Sequence, residues 1–331
     1  MKLTKPAYFD SFRCIAGDCP DSCCKEWGVQ VDDISAAYYR SLTGDLGDKL
    51  RSVLVEEDGE TVMTIENGRC PMWRADGLCR IQAELGEAAL CKTCREFPRL
   101  THDYGDFVER TLELSCPEAA RLILTTPAAP AVTEDIPGGE EPEYDEDAME
   151  ILKSTRATLL DLLADTAFSL PQLLALVLMY GYQAQAELDG AEALPFDPQA
   201  ALEEARSFAK SADPANITEF FLELEILTDT WKQRLLNPAP GPWLPEYRNL
   251  IRYFAERYWL QAVADYDLVS RVKFVVIACL LIRHLGGNFQ ETAQLFSKEI
   301  ENDADNVDAI LDAAYTHPAF TDEKLLGMIL K

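Results

Sequence analysis

Nine cysteines fall within the first 116 residues of a 331-residue chain, at Cys14, Cys19, Cys23, Cys24, Cys70, Cys79, Cys91, Cys94 and Cys116. No other feature restricts the fold as much, because so many thiols in one segment must be bridged, ligated or used in redox chemistry. The tenth, Cys279, stands apart in Val275-Val276-Ile277-Ala278-Cys279-Leu280-Leu281-Ile282. A lone Cys in such an apolar run behaves as a small buried hydrophobe.

Disulfides need an oxidising compartment. The opening Met1-Lys2-Leu3-Thr4-Lys5-Pro6-Ala7-Tyr8-Phe9-Asp10 lacks the apolar stretch of a signal peptide. The longest apolar run, Phe274 to Ile282, is nine residues, under half of a membrane span. A cytoplasmic chain with reduced thiols and no transmembrane segment is therefore expected. The neighbours Cys23 and Cys24 also make an awkward bridge, since vicinal disulfides are strained.

Thiolate ligation of a metal fits better. Cys91-Lys92-Thr93-Cys94 is a C-x-x-C pair able to grip one metal from a tight turn. A redox reading of that pair wants a strand before it and a helix after it. Here a helix precedes the pair, and Phe97-Pro98 interrupts any helix beyond it. Zinc and iron-sulfur both accept four thiolates. Zinc sites usually pair two such hooks or add regularly spaced His, whereas this segment has one hook and one histidine, His102, in Thr101-His102-Asp103-Tyr104-Gly105. A His in such a loop is more often solvated than ligating. Nine irregularly spaced thiols with a Cys-Cys step resemble an iron-sulfur cradle at least as much as a zinc site, and they suffice for two four-ligand sites. The ordinary radical C-x3-C-x2-C pattern is absent, because Cys19 and Cys23 are followed by Glu26 where its third cysteine would stand.

The rest of the chain sets the organisation. Residues 1–125 read as a cysteine-rich metal-binding domain of short pieces: strands over Gly28 to Asp33 and Thr61 to Glu66, the turn Asn67-Gly68, and helices over Ser35 to Leu42 and Cys79 to Leu85. Ligation can supply part of the folding free energy of so irregular a unit. Residues 126–147 carry Pro127, Pro130, Pro137, Pro142 and Gly138-Gly139, and Glu134 to Glu150 holds nine acidic residues and no basic one, which reads as a solvated linker. Residues 148–331 read as an α-helical bundle. Ile217, Phe220, Phe221, Leu224, Leu227, Trp231 and Leu235 form one stripe ended by Asn237-Pro238. Pro245 opens a helix carrying Leu250, Ile251, Phe254 and Tyr258, and Leu268 to Leu285 is apolar nearly all round and stops at Gly286-Gly287. Asn288 and Thr321 then cap the last helices. The fold class is mostly α, with an irregular Cys-rich N-terminal domain containing short strands.

Charge and missing motifs exclude several functions. The 57 Asp and Glu against 30 Lys and Arg leave a net charge of -27, which repels nucleic-acid backbones and leaves lysine-bearing protein segments as plausible partners. No strand-linked G-x-G-x-x-G, P-loop or G-x-S-x-G occurs, so standard dinucleotide, NTPase and hydrolase sites are unsupported.

Several motifs together carry a resemblance. Tyr8-Phe9-x-x-Phe12-x-Cys14 leads to Cys19-Pro20-Asp21-Ser22-Cys23-Cys24, Trp27 and Val31-Asp32. Cys70-Pro71-Met72-Trp73, Leu78-Cys79-Arg80-Ile81-Gln82 and Leu85-Gly86-Glu87 come next. Then come Leu90-Cys91-Lys92-Thr93-Cys94-Arg95-Glu96-Phe97-Pro98-Arg99 and Leu114-Ser115-Cys116-Pro117-Glu118-Ala119-Ala120-Arg121. Across about residues 8 to 124 this resembles the flagellin lysine N-methylase (FliB-type) family, within the broader YkgJ-like cysteine-cluster group, thought to chelate zinc or iron. The helical half resembles it only in character, at Tyr253-Phe254 and the apolar helix after them.

The resemblance implies a bacterial cytosolic enzyme that moves methyl groups from S-adenosylmethionine to flagellin lysines. It further implies a 4Fe-4S cluster held by cysteines of the motif, with zinc as the alternative. The competing reading is a non-enzymatic zinc- or iron-binding head with a helical protein-docking tail. No base for the reaction is evident: Tyr104, Glu113 and Glu118 lie near cysteines, and each reads as packing or surface.

Overall fold

The computed structural model describes every residue of the chain except Trp27 and Asp58. Trp27, one of the residues carrying the resemblance, thus lies outside the described residues. Among the described residues there are fifteen α-helices and seven short strands. The mostly-α expectation holds, with all these strands lying before residue 136.

Two sheets organise the first part. The larger runs in the order β5-β6-β1-β7, from Arg99–Asp103, Phe107–Leu112, Lys2–Lys5 and Val132–Asp135. Its central pair β1 and β6 is parallel and both outer pairings are antiparallel. The smaller joins β2 (Val29–Gln30), β4 (Glu60–Met63) and β3 (Leu54–Glu57). Both anticipated strands exist but are shorter than expected. The Asn67-Gly68 turn is present between the bridged residues Glu66 and Arg69. Both turn residues have positive φ, the combination a type I′ turn requires. The expected short helices appear at Asp33–Ser41 and Arg80–Leu85.

Within the segment read as a solvated linker, the chain supplies β7, which pairs along its whole length with β1. All four of its residues are exposed, so apolar burial does not order it. Backbone pairing does, aided by ion pairs from Lys2 to Asp135 and Lys5 to Glu134. The amino group of Met1 also donates to the carbonyls of Ile136 and Gly138.

The packing divides into two cores. The smaller gathers Val29, Val31, Tyr39, Leu50, Met63, Met72 and Ile81 with the cysteines Cys70 and Cys91. The larger draws Phe9, Phe12, Phe107, Leu112 and the Pro117–Thr125 helix together with the C-terminal helices. Its axis is the Leu268–Leu285 helix, which is buried on nearly every face. That helix stops where the sequence indicates. Gly286 has φ +61°, and an added Cβ would lie 1.9 Å from the carbonyl oxygen of Ala239. Cys279 sits in this helix with no exposure, as its apolar setting implies.

The stripe from Ile217 to Leu235 is not one helix. It divides into Ala215–Phe221 and Asp229–Leu236. The break is held from a distance: Glu299 accepts from the Leu227 amide at 2.8 Å and from the Thr228 hydroxyl at 2.5 Å. Thr228 in turn caps the second helix by accepting from the Trp231 amide. Glu299 belongs to a π turn, Ser297–Glu301, which continues the Phe289–Phe296 helix. Asn288 caps that helix through the Glu291 amide, while Thr321 occupies the N-cap position of the last helix, Asp322–Leu330, without a side-chain bond. Among the described residues no helix is long and apolar enough to cross a membrane.

Candidate functional site

The structure resolves the nine N-terminal thiols into two groups that meet at one dipeptide. All ten cysteines are free of disulfides. Cys23 lies within electrostatic reach of Cys14 and Cys116, and Cys19 lies near Cys14. Cys24 lies within reach of Cys70 and Cys79, which also sense Cys91. Cys94 senses Cys91 and both members of the dipeptide. Cys14, Cys19 and Cys116 thus gather with Cys23, and Cys70, Cys79 and Cys91 with Cys24, while Cys94 is within reach of both members of the dipeptide.

Local backbone structure fixes this arrangement. The Cys70 amide donates to the Cys24 carbonyl at 2.8 Å, tying the two loops together. Cys91 is the N-cap of the Lys92–Glu96 helix, and Cys94 lies one turn into it. Asp32 docks that helix: one carboxylate oxygen accepts from the Lys92 amide at 2.8 Å and the other from the Ser35 amide at 3.0 Å. The Thr93 hydroxyl and the Cys91 thiol both point to the carbonyl of Gln30. The helix ends at Phe97, whose bond to Pro98 is cis.

The thiols are coupled in protonation. The hydrogen bond between Cys23 and Cys24 draws Cys24 down to about 7 and holds Cys23 far above the usual thiol range. The bond between Cys91 and Cys94 likewise lowers Cys91 to about 7 and raises Cys94. Burial pushes Cys70 up to about 12 and Cys116 to about 11. Among the described residues, no group of three or more His, Cys, Asp or Glu side chains is closed to metal-binding geometry. The donors are nonetheless of one kind, since each group is built from soft thiols, the set that selects zinc or iron-sulfur centres.

His102 belongs to neither group. It lies on β5 rather than in a loop, paired across the ladder with Glu109. Its Nε2 is buried without a hydrogen-bond partner. Burial first, then the nearby Arg257, keeps its imidazole below the usual value. Three other titratable groups neighbour cysteines in sequence. Tyr104 stacks on Phe107 at 4.6 Å. Glu118 pairs with Arg121 at 2.6 Å. Glu113 is half-buried, and burial raises its carboxyl.

The helical half reaches the thiols through its π turn. Lys298 contacts Asp21 and Glu26, and Gln294 donates to Asp21 and to the Ser115 carbonyl. Beneath them Glu301 is fully enclosed, accepting from Tyr258 at 2.9 Å and pairing with Arg257 at 3.2 Å. Tyr253 bridges Arg257 and Glu301 and accepts from the Leu114 amide, two residues from Cys116. This network is invisible in the sequence, because π turns carry no pattern of their own and mark functional sites more often than chance.

The chain is 34% identical over 146 residues to the protein named Lysine-N-methylase of Salmonella typhimurium, covering 40% of this chain and 35% of that relative. The relative of the same name in Salmonella choleraesuis gives the same figures. The chain is also 34% identical over 146 residues to the Flagellar biosynthetic protein FliU of Salmonella muenchen, of which it covers 83%. The chain thus spans about a third of the length of the two lysine methylases it matches. No family model matches the sequence, and no solved structure matches it.

Proposed function

Since the chain belongs to the flagellin lysine N-methylase (FliB-type) family, we propose that it is a protein-lysine methyltransferase acting on flagellin in the bacterial cytoplasm. Its methyl donor is S-adenosylmethionine and its activity depends on a 4Fe-4S cluster. The observation that carries the reading is the likeness to FliU and to the two lysine methylases.

The thiols support the metal part by their chemistry. Cys24, Cys70, Cys79 and Cys91 lie in or against the smaller core, Cys94 is bonded to Cys91, and four of these five would hold the cluster. Cys14, Cys19, Cys23 and Cys116 offer a second set of four. A cluster so held would supply redox-active iron and tie loops of little regular structure into one fold. The chain's own residues prepare for it: Asp32 fixes the C-x-x-C turn, and Lys298 fixes the segment around Cys23 and Cys24.

Transfer to lysine needs a deprotonated amine, because only the free lone pair attacks a sulfonium methyl. A body of net charge -27 gathers cationic lysine segments, while a local desolvated site must then release the proton.

The test is transfer of labelled methyl groups to flagellin under anaerobic conditions, with iron, sulfide and zinc measured on the same preparation. A brown protein that labels lysine, and loses both properties when iron is removed, fits the proposal. Stoichiometric zinc in a colourless protein that labels no lysine points instead to a metal-bearing docking module.

A further inference from the structure

A cavity of about 130 Å³ opens between the start of the chain, the larger sheet and two helices. The segment Thr4 to Tyr8 forms one wall, Glu109 to Thr111 of β6 a second, and the Glu146–Ala164 and Tyr247–Tyr258 helices the floor. Ala7, Pro127, Ala128, Ala129 and Ala131, all exposed, make its solvent-facing mouth apolar. A cavity of roughly 150 Å³ holds a six-carbon ring. A lysine side chain has five heavy atoms beyond Cα, so the space suits one unbranched amine and excludes a nucleoside.

The polar groups inside are few and differ in how they are engaged. Glu109 is consumed by Arg156, which grips both its oxygens at 2.8 and 2.5 Å. Lys5 is consumed outside the cavity by Asp10 and Glu134. Glu256 is not consumed in this way. Among the described residues its one ion pair is to Arg252 at 3.8 Å, beyond hydrogen-bond length, and 27% of its side chain remains accessible. His102 and Arg252 add buried nitrogens without partners, Nε2 and Nε respectively. Such a pocket, apolar with a few convergent uncommitted polar atoms, is the usual form of a small-ligand site.

We propose that this cavity receives the target lysine side chain, and that the Glu256 carboxylate takes the proton released by its ε-amine. The inference rests on the methyltransferase reading above and extends it to a site for the acceptor. The apolar mouth strips water from the four methylenes. Arg252 and Arg156 disfavour a second positive charge beside them, so the entering ammonium passes its proton to the Glu256 carboxylate and becomes the neutral amine. The nitrogen lone pair then forms a bond to the methyl carbon of a sulfonium donor. The carbon–sulfur bond breaks with its electron pair going to sulfur, leaving a thioether, and the positive charge moves from sulfur to the methylated nitrogen, which keeps its two remaining protons.

The electrostatics suit a base working near neutrality. Burial, outweighing the opposing pull of Arg252 and Arg156, raises the Glu256 carboxyl to about 7, with Glu109 adding to the rise. Tyr8 faces the same carboxylate and stays protonated, held up by burial. His102 stays neutral for the same reason. Arg110 completes the charged groups on these walls. A base with such a pKa is matched to proton transfer at physiological pH.

The test uses the full chain and n-butylamine as a stand-in for the lysine side chain, with n-butanol as the uncharged control, both titrated by calorimetry at pH 6 and pH 8. The expected result is that butylamine binds at least tenfold more tightly than butanol at pH 8, and that this advantage shrinks at pH 6, where Glu256 is protonated. Glu256→Gln should remove the advantage, and Ala129→Trp, at the exposed mouth, should abolish binding while the protein stays folded. Equal binding of the two probes, or an unchanged preference in Glu256→Gln, overturns the assignment. In the transfer assay Glu256→Gln should lower kcat by roughly 100-fold or more and remove the ionisation near 7 from the pH profile. Probe binding without methyl transfer by the unaltered protein would remove the methyltransferase reading while the amine site stands.

Discussion

The Nζ of Lys298 lies 3.0 Å from the Oδ2 of Asp21, across 277 residues of sequence. The same ammonium reaches Glu26 at 2.7 Å. Its two partners bracket Cys23-Cys24, so a single side chain from the helical half grips the dipeptide at which the two thiol groups meet. Burial alone would lower the Lys298 pKa, but Glu26 and Asp21 outweigh it and hold it above the usual lysine value.

Replacing Lys298 by Met keeps the apolar stem and removes the charge. The lysine side chain is 7% exposed, and the carboxylates of Asp21 and Glu26 are 26% and 34% exposed, so the stranded acids can partly rehydrate. The expected loss is about 1–3 kcal/mol, between the values for surface and buried pairs. It is read as a lower urea midpoint at unchanged slope. A midpoint equal to that of the unaltered protein would mean that the π turn does not hold the thiol segment.

Asp32 makes a second such tie, and its pH dependence has a definite sign. Bonds from the Lys92 and Ser35 amides hold its carboxyl down at about 2. A depressed carboxyl contributes stability that is fully present above its unfolded value, about 3.9. That contribution is lost as the pH falls through about 2. Asp32→Ala should cost about 1 kcal/mol per lost cap at pH 7. The gap between variant and unaltered protein should close between about pH 4 and pH 2. Chemical denaturation at pH 7 and pH 3 measures it. A gap that is the same at both would show that the two amide bonds do not act through the ionised carboxylate.

How far the sequence reveals this molecule depends on the range of the forces involved. Leu268–Leu285 is legible to the residue, because its apolar run and its terminal glycines are local signals. The gap after Phe221 is not, because Glu299 imposes it from 72 residues away. β7 is hidden for a related reason: composition reports burial, and this strand is ordered by pairing with β1 and by ion pairs. The thiols announce themselves as a set, yet their division at Cys23-Cys24 depends on loops closing in space. Glu256 carries no local mark at all, since Arg252 and Glu256 read as an ordinary i,i+4 surface pair until the cavity wall is seen around them.

Gly286 offers a test of the larger core alone. Its φ of +61° is unfavourable for any residue with a Cβ, and that atom would meet the Ala239 carbonyl at 1.9 Å. The Ala239 amide meanwhile donates to Leu285, so the obstructing backbone is itself pinned. Gly286→Ala should destabilise by about 2–4 kcal/mol, combining left-handed strain with overpacking. Thermal unfolding should show it as a drop of several degrees. Metal content per folded molecule should stay the same, since no thiol group involves this helix end.

The thiols themselves give the sharpest contrast, because two kinds of cysteine coexist in one chain. Cys279 is fully buried, and burial alone raises its thiol. Cys279→Ser buries a hydroxyl in that setting, which should cost about 1–3 kcal/mol and leave bound metal unchanged. Cys24→Ser and Cys94→Ser act through ligation instead, removing a soft donor that a hydroxyl does not replace. Both should lower metal content and loosen the smaller core, which protease cleavage within residues 1–125 would report. Cys116→Ser belongs to the other group. If the groups bind separately, its metal loss adds to that of Cys24→Ser in the double variant. If they share one centre, the double variant loses no more than the worse single one. Equal metal content in Cys279→Ser, Cys24→Ser and Cys94→Ser, by elemental analysis of anaerobically purified protein, would remove the distinction between structural and ligating thiols on which the metal assignment stands.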